Sequence, residues 1–139
     1  MKKILVSGTG IFLFILMIFN FQIYSAQDLN PPALKLIYIT PNLLNTGETI
    51  TITVNATDDL SGIKEILCEL RSPSKKQIIE NVALKLSSGD KLSGWYDTIM
   101  IIPKYCEQGL WEVNRVIIKD NAMNIKTLHN SADFYLTFL

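Results

Sequence analysis

The sequence has little of the chemistry that most enzymes use. Its 139 residues include one histidine, His129, and two cysteines, Cys68 and Cys106. It contains no HExxH pair, no phosphate-binding glycine loop and no CxxC motif, the short patterns that mark metalloproteases, nucleotide sites and zinc sites. Because a Cys-His or Ser-His-Asp centre would have to use that one histidine, the sequence predicts a protein that is not an enzyme.

An excess of positive charge is also lacking. The chain has 13 basic and 13 acidic residues and a formal net charge of +0. Apart from Lys2 and Lys3, its longest basic run is the pair Lys75 and Lys76. DNA and RNA binding requires basic side chains that neutralise phosphates, so we do not expect a nucleic-acid partner.

One long apolar run is present, and it lies near the N-terminus. Ile11–Phe19 is uninterrupted by polar residues and is preceded by Lys2 and Lys3. This pattern predicts a signal peptide over residues 1–26, and therefore a protein that is secreted or held in the cell envelope. Bulky Tyr24 stands where signal peptidases prefer a small residue, so an uncleaved anchor stays open as the alternative. That anchor would be the protein's contact with a membrane.

The chain after the signal peptide has the pattern of short strands. Residues 27–32 are polar and end in proline, which predicts a leader without secondary structure. From Thr49 to Ala56, apolar residues alternate with threonine and asparagine, the period of a strand with one buried face. Turn residues recur about every ten positions, which is typical of an all-β sandwich. Strands are predicted at 33–39, 49–56, 63–71, 78–79, 82–86, 94–102, 109–119 and 125–128, while 130–139 fits either a short helix or a further strand.

The two tryptophans are predicted to have different roles. In the strand that contains Trp111, the apolar side chains point inward but change phase near Asn114, and we expect a β-bulge there. Trp111 is therefore predicted to be a core residue. Trp95 lies on the outward face of its strand, and it is a candidate contact for a ligand, with a cover by the sheet edge or the tail as the alternative.

The order of these weak motifs resembles that of bacterial immunoglobulin-like domains, which occur in secreted and cell-surface proteins. The resemblance implies an immunoglobulin-like sandwich of two antiparallel sheets and about seven strands over residues 33–139. It also implies a module without catalysis, used in adhesion or display. Met123 departs from the family pattern, because such domains usually carry glycine at this point of the last hairpin. The motifs are Pro31-Pro32, Pro41, Gly47, Asp58 to Gly62, Arg71 to Ser74, Gly94-Trp95-Tyr96, Pro103, Gly109-Leu110-Trp111 and Asp120 to Asn124.

Acidic and amide residues are predicted to meet at one end of such a fold. In an immunoglobulin topology the start of the chain and two of the loops gather there. Calcium takes six to eight oxygen ligands from carboxylates, amides and carbonyls, so these residues are candidates for a calcium site. The alternative is that each aspartate stabilises its own turn. We expect no other cofactor. The candidate ligands are Asp28, Asp58, Asp59, Asp120, Asn121 and Asn124.

The two cysteines allow two states. An even number of cysteines in an exported chain makes a disulfide between Cys68 and Cys106 admissible. Cys68 also has the inward phase of its strand, so a buried free thiol is the alternative.

Two functions follow from these predictions. The first is a surface module that binds a protein or a glycan. The second is a structural part that docks into a cell-envelope assembly through an edge strand or through the apolar tail, Phe134 to Leu139.

Overall fold

The chain folds entirely into β-structure where the structure describes it. This computed structural model describes residues 25–129 and the backbone of 135–138, and these residues form no helix. The predicted all-β class is confirmed. The predicted signal peptide, except for its last two residues, lies outside the described residues. The strands are β1 (Ala33–Thr40), β2 (Leu43–Leu44), β3 (Thr49–Thr57), β4 (Ile63–Arg71), β5 (Ile78–Gly89), β6 (Ser93–Ile101), β7 (Gly109–Asp120), β8 (Ile125–His129) and β9 (Tyr135–Phe138).

The strands form one curled sheet in the order β1-β3-β6-β5-β4-β7-β9-β2, with β8 also paired to β7. All of these pairs are antiparallel except β2 with β9. The curl depends on β5, since its first part pairs with β4 and its last part, Lys85 to Gly89, pairs with β6. One strand thus connects the two halves of the sheet.

The prediction of two short strands at 78–79 and 82–86 was wrong, because both belong to β5. Between them, Glu80 and Asn81 lie opposite the single residue Glu69, and Asn81 has a φ of 56°. An extra residue with this φ is a β-bulge, which bends a strand without ending it. The polar residues therefore mark an irregularity inside one long strand.

The core begins with β3. Ile50, Ile52, Val54 and Ala56 are each 0% exposed, so the alternation read from the sequence is confirmed. Burying an isoleucine or valine side chain contributes about 1.5–3 kcal/mol relative to leaving it exposed. The other side of the core is formed mainly by β4 and β7, from which Ile66, Cys68, Leu70, Trp111, Val113, Val116 and Ile118 are buried.

The predicted bulge in β7 is present at Asn114. Arg115 pairs with Glu69 and Val113 with the next residue of β4, which leaves Asn114 without an opposite residue. The bulge lets Val113 and Val116 both point inward. The Asn114 side-chain amide donates to Glu69 Oε1, and Arg115 Nη2 donates to Glu69 Oε2 at 2.6 Å. The buried Glu69 carboxylate is therefore paired from β7.

Trp111 is 1% exposed and belongs to the core, as predicted. Its indole Nε1 donates to the carbonyl oxygen of Glu107 at 2.8 Å. This bond fixes the loop before β7 to the first residues of that strand. The tail forms a strand, β9, which pairs with Gly109 to Glu112 of β7 on one side and with β2 on the other. Of the two alternatives for the tail, the strand is the one observed at 135–138.

Candidate functional site

A shallow hollow lies on the outer face of the half sheet formed by β1, β3 and β6. Tyr38, Thr53 and Asp97 lie side by side across these strands, and Trp95 lies diagonally from Tyr38. The two aromatic rings meet edge to face, with centroids 6.3 Å apart and planes at 63°. The hollow has a volume of about 280 Å³, and Ser87 and Ser88 of β5 close its far side.

This hollow combines aromatic surface with oxygen atoms. Tyr38 is 41% exposed and Trp95 is half-buried, so both rings offer apolar surface to a ligand. The Oδ1 atom of Asp97 is buried and has no hydrogen-bond partner, although native structures usually pair such atoms. Aromatic faces beside a few converging polar groups are characteristic of small-molecule sites. The hollow is thus suited to a ligand with apolar faces and hydroxyl groups.

Only Trp95 in this hollow was singled out from the sequence. Its outward direction is as predicted, but Tyr38, Thr53 and Asp97 were missed. The signal for Tyr38 was present, since it alternates with the buried Ile37 and Ile39. What the sequence does not contain is the register that places these residues next to one another.

Three aspartates meet at the end of the sheet where β3 and β7 finish. Carboxylate oxygens of Asp28, Asp58 and Asp120 all lie within 4.8 Å of one another. Asp58 is 9% exposed and Asp120 is 0% exposed. The leader, the end of β3 and the end of β7 each supply one of them, which is the convergence that the topology argument predicted for these three.

Hydrogen bonds hold the leader to this end. Asp28 accepts from the Ser61 backbone N–H at 2.9 Å and from the Asn30 N–H at 3.1 Å. Hydrogen bonding from the side chain of Ser61, and then from these two N–H groups, lowers the pKa of the Asp28 carboxyl below its ordinary value of 3.8. The leader forms no strand, but the ionised Asp28 side chain holds it to the loop after β3.

Of the other three candidate calcium ligands, Asn124 lies within the aspartate cluster, whereas Asp59 and Asn121 lie beside it. Asp59 accepts from the Asn30 side chain at 2.6 Å, and the Asn121 amide donates to the carbonyl oxygens of Ser61 and Gly62. Asn124 lies inside the cluster, because its Nδ2 is 2.8 Å from Asp120 Oδ2 and 3.2 Å from the Asp28 carbonyl oxygen. Asp59 and Asn121 therefore support the two loops from outside the three carboxylates.

Both cysteines are free thiols in the structure. Cys68 is 1% exposed in the core, so the buried-thiol alternative is the one observed here. Desolvation raises the pKa of the Cys68 thiol from 9.0 to about 12. Cys106 is half-buried in the wall of a pocket of about 480 Å³ at the opposite end of the sheet. Ile78, Tyr105 and Trp111 also line this pocket, which the sequence reading did not anticipate.

Residues 26–138 match a family described as "Domain of unknown function (DUF7743)". The chain belongs to this family, whose description assigns no activity. None of the curated proteins matches the chain.

Among solved structures, the chain is similar to a Pseudomonas fluorescens alkylpurine DNA glycosylase, AlkC, bound to DNA containing an abasic site analog. The identity is 11% and the TM-score is 0.44, over 83% of this chain and 31% of that chain. This likeness is too weak to carry an activity or a ligand to the present protein. Over residues 25–129 and 135–138, no helix is long and apolar enough to cross a bilayer.

Proposed function

We propose that this member of the DUF7743 family is an exported, non-catalytic immunoglobulin-like module that binds a glycan or a protein through the hollow beside Trp95. The observation that carries the proposal is the hollow itself, where two aromatic rings lie beside hydroxyl groups and an unpaired carboxylate oxygen. Sugars present both apolar ring faces and hydroxyl groups, so a glycan is the ligand that matches this surface best.

The strand order supports the immunoglobulin-like part of the proposal. The half sheet β1-β3-β6-β5 follows the order of strands A, B, E and D in an immunoglobulin sandwich, and β4, β7 and β8 follow C, F and G. The common core, which includes Val54 and Trp111 with Met100 packed against it, supports a sandwich of these two halves. Export is supported by the apolar run at Ile11–Phe19, which the family match leaves out.

Glycan arrays with the purified protein test the ligand. We expect Trp95→Ala and Tyr38→Ala to weaken binding by about tenfold or more, because aromatic anchors dominate such contacts. Tyr105→Ala is the matched control, since Tyr105 is 87% exposed at the other end of the sheet. Binding that survives loss of both Trp95 and Tyr38, or that falls equally with Tyr105→Ala, would contradict the proposal.

Export has its own test. The intact mass of the protein isolated from the cells that make it should equal that of a chain without residues 1–26. Recovery of the complete chain in the membrane fraction would support the uncleaved anchor, and recovery in the cytosol would contradict export.

A structural accessory role is the second candidate, and the free edge of β1 favours it. In the described part of the chain, β1 pairs with β3 alone. On the outer face of β1, the Leu36 side chain is 44% exposed. An open edge of this kind can accept a strand from another protein. Capture of an envelope protein by both the wild type and Trp95→Ala, without glycan binding, would favour this role.

A further inference from the structure

We propose that Asp28, Asp58 and Asp120 bind one calcium ion that fastens the leader to the end of the sheet. The first ground is their mutual distance. Carboxylate oxygens of all three residues lie within 4.8 Å of one another, and negative charges at this range repel. The ion pairs found among the described residues all involve Glu69, so lysine and arginine side chains do not offset this charge.

The second ground is an unpaired oxygen on Asp58. Its Oδ2 accepts from the Gly62 N–H at 2.6 Å and from the Leu60 N–H at 3.3 Å. Its Oδ1 is buried and has no partner, on a side chain that is only 9% exposed. An unpaired buried carboxylate oxygen is costly and calls for a missing partner such as an ion. This carboxylate belongs to the cluster of three.

The surroundings of Asn124 also contain more acceptors than donors. Four oxygens lie within 3.5 Å of its Nδ2 atom: Asp28 O, Asp28 Oδ1, Asn30 O and Asp120 Oδ2. A side-chain amide carries two hydrogens, so it cannot satisfy all four. Asp28 Oδ1 has a second donor in the Asn30 N–H, and the backbone carbonyl oxygens of Asp28 and Asn30 are acceptors of the kind that calcium binds.

The donor chemistry selects calcium. Every candidate ligand atom is oxygen, which favours calcium or magnesium over zinc. Calcium binds oxygens at about 2.4 Å, so two of its ligands can lie up to about 4.8 Å apart, whereas magnesium at about 2.1 Å requires a tighter set. Magnesium also demands near-ideal octahedral geometry and keeps several of its waters, whereas calcium accepts a flexible set of carboxylates, amides and backbone carbonyls such as the one gathered here.

Thermal unfolding of the full chain with calcium, magnesium or chelator is the experiment that tests the site. With millimolar calcium we expect a Tm about 5 °C or more above that in chelator, because a ligand that binds the folded state stabilises it. Calorimetric titration with calcium chloride should give one site per chain. No Tm rise and no binding heat at 10 mM calcium would overturn the proposal, and an equal rise with magnesium would overturn the choice of calcium.

Three variants assign the ligands. Asp58→Asn and Asp28→Asn should each reduce calcium affinity by about tenfold or more, since each removes a charged ligand. Asp59→Asn is the control, because Asp59 is the adjacent acid and its carboxylate faces Asn30 instead. Asp28 lies outside the strands, so Asp28→Asn keeps the test decisive if Asp58→Asn does not fold. Unchanged calcium affinity in Asp28→Asn, or an equal loss in Asp59→Asn, would overturn the site.

Discussion

The two ends of the sheet differ in how completely their carboxylate oxygens are paired with hydrogen-bond donors. Near Trp111, Glu107 accepts from the Ser74 hydroxyl at 2.6 Å and from the Ser74 N–H at 3.1 Å. These bonds, with the nearby charge of Lys76, lower the pKa of the Glu107 carboxyl. At the other end, Asp58 and Asp120 are both buried, and one oxygen of Asp58 has no partner.

This difference separates a structural acid from a candidate ligand. Glu107 has local donors and a local cation, so its hydrogen bonds account for its position without any further group. In the aspartate cluster, by contrast, Asp58 Oδ1 is buried and has no donor, so hydrogen bonds alone do not account for that carboxylate. Unpaired buried oxygens, rather than the number of acids, therefore mark the end that is suited to a ligand.

The largest effect is expected from the core at the Trp111 end. Trp111→Ala should lower the free energy of unfolding by about 3–5 kcal/mol, through lost burial and the cavity that remains. Trp95→Ala is the comparison, and since Trp95 is half-buried on the outer face its loss should be clearly smaller. Urea unfolding measures both, and equal losses would contradict the assignment of Trp111 to the core and Trp95 to the surface.

A smaller effect is expected from Asn124 at the acidic end. Asn124→Ala removes the side-chain donor to Asp120 Oδ2, which leaves a fully buried carboxylate with fewer partners. Without calcium, the free energy of unfolding should fall by about 1–3 kcal/mol. Asn45→Ala, at an exposed site of the opposite end, is the control and should change stability less. An unchanged stability for Asn124→Ala would show that Asp120 does not depend on this amide.

Met123 offers a gain in stability in the same hairpin. Its φ is 76°, a left-handed conformation that disfavours any residue with a Cβ atom. Met123→Gly should therefore raise the free energy of unfolding by about 0.5–1 kcal/mol, the strain relieved being partly offset by the flexibility of glycine in the unfolded chain. Ala122→Gly is the matched control and should not stabilise. A Tm that falls with Met123→Gly would show that its side chain, 3.6 Å from Lys64 Nζ, contributes more than the strain costs.

The thiols should differ in reactivity without a change in fold. Desolvation raises the pKa of both thiols, to about 12 for the buried Cys68, and in the half-buried Cys106 at the Trp111 end as well. Alkylation at pH 8 should thus label Cys106 faster than Cys68, which is both more deeply buried and less often a thiolate. If neither cysteine reacts until a reductant is added, the two form the disulfide that the sequence left open as an alternative.

The same shift has a pH consequence. Above pH 9 the unfolded chain loses the Cys68 proton while the folded chain keeps it until about pH 12. The unfolded state then binds fewer protons, so the contribution of Cys68 makes stability fall as the pH rises through this range. Cys68→Ala should reduce this alkaline loss, and urea unfolding at pH 8 and pH 10 measures it.

Much of the strand pattern was predictable because it is local. The alternation in β3, the inward face of β4 and the bulge at Asn114 each follow from neighbouring residues in one strand. The error in β5 has the same origin, since the polar residues Glu80 and Asn81 look like a turn when their partner strand is unknown. Pairing with both β4 and β6 keeps them inside one strand.

The candidate sites were only partly predictable. Trp95 could be assigned to an outer face from its alternation with Tyr96, but its neighbour Tyr38 is 57 positions away in the chain by the numbering of the sequence. Among the six calcium-ligand candidates named from the sequence, residue type could not distinguish Asp58 from Asp59. In the structure, one is buried in the cluster and the other is exposed and bonded to Asn30.

By itself, the sequence determined the all-β class, the buried face of β3, the core role of Trp111 and the outward direction of Trp95. These depend on the two-residue period of a strand and on the hydrophobic effect, which act over short stretches. Tertiary structure alone decided that β5 joins the two halves of the sheet, that Tyr38 meets Trp95, and that Asp28, Asp58 and Asp120 come within 4.8 Å. Register and chain reversal set those distances, and both depend on the simultaneous packing of strands that are far apart in the sequence.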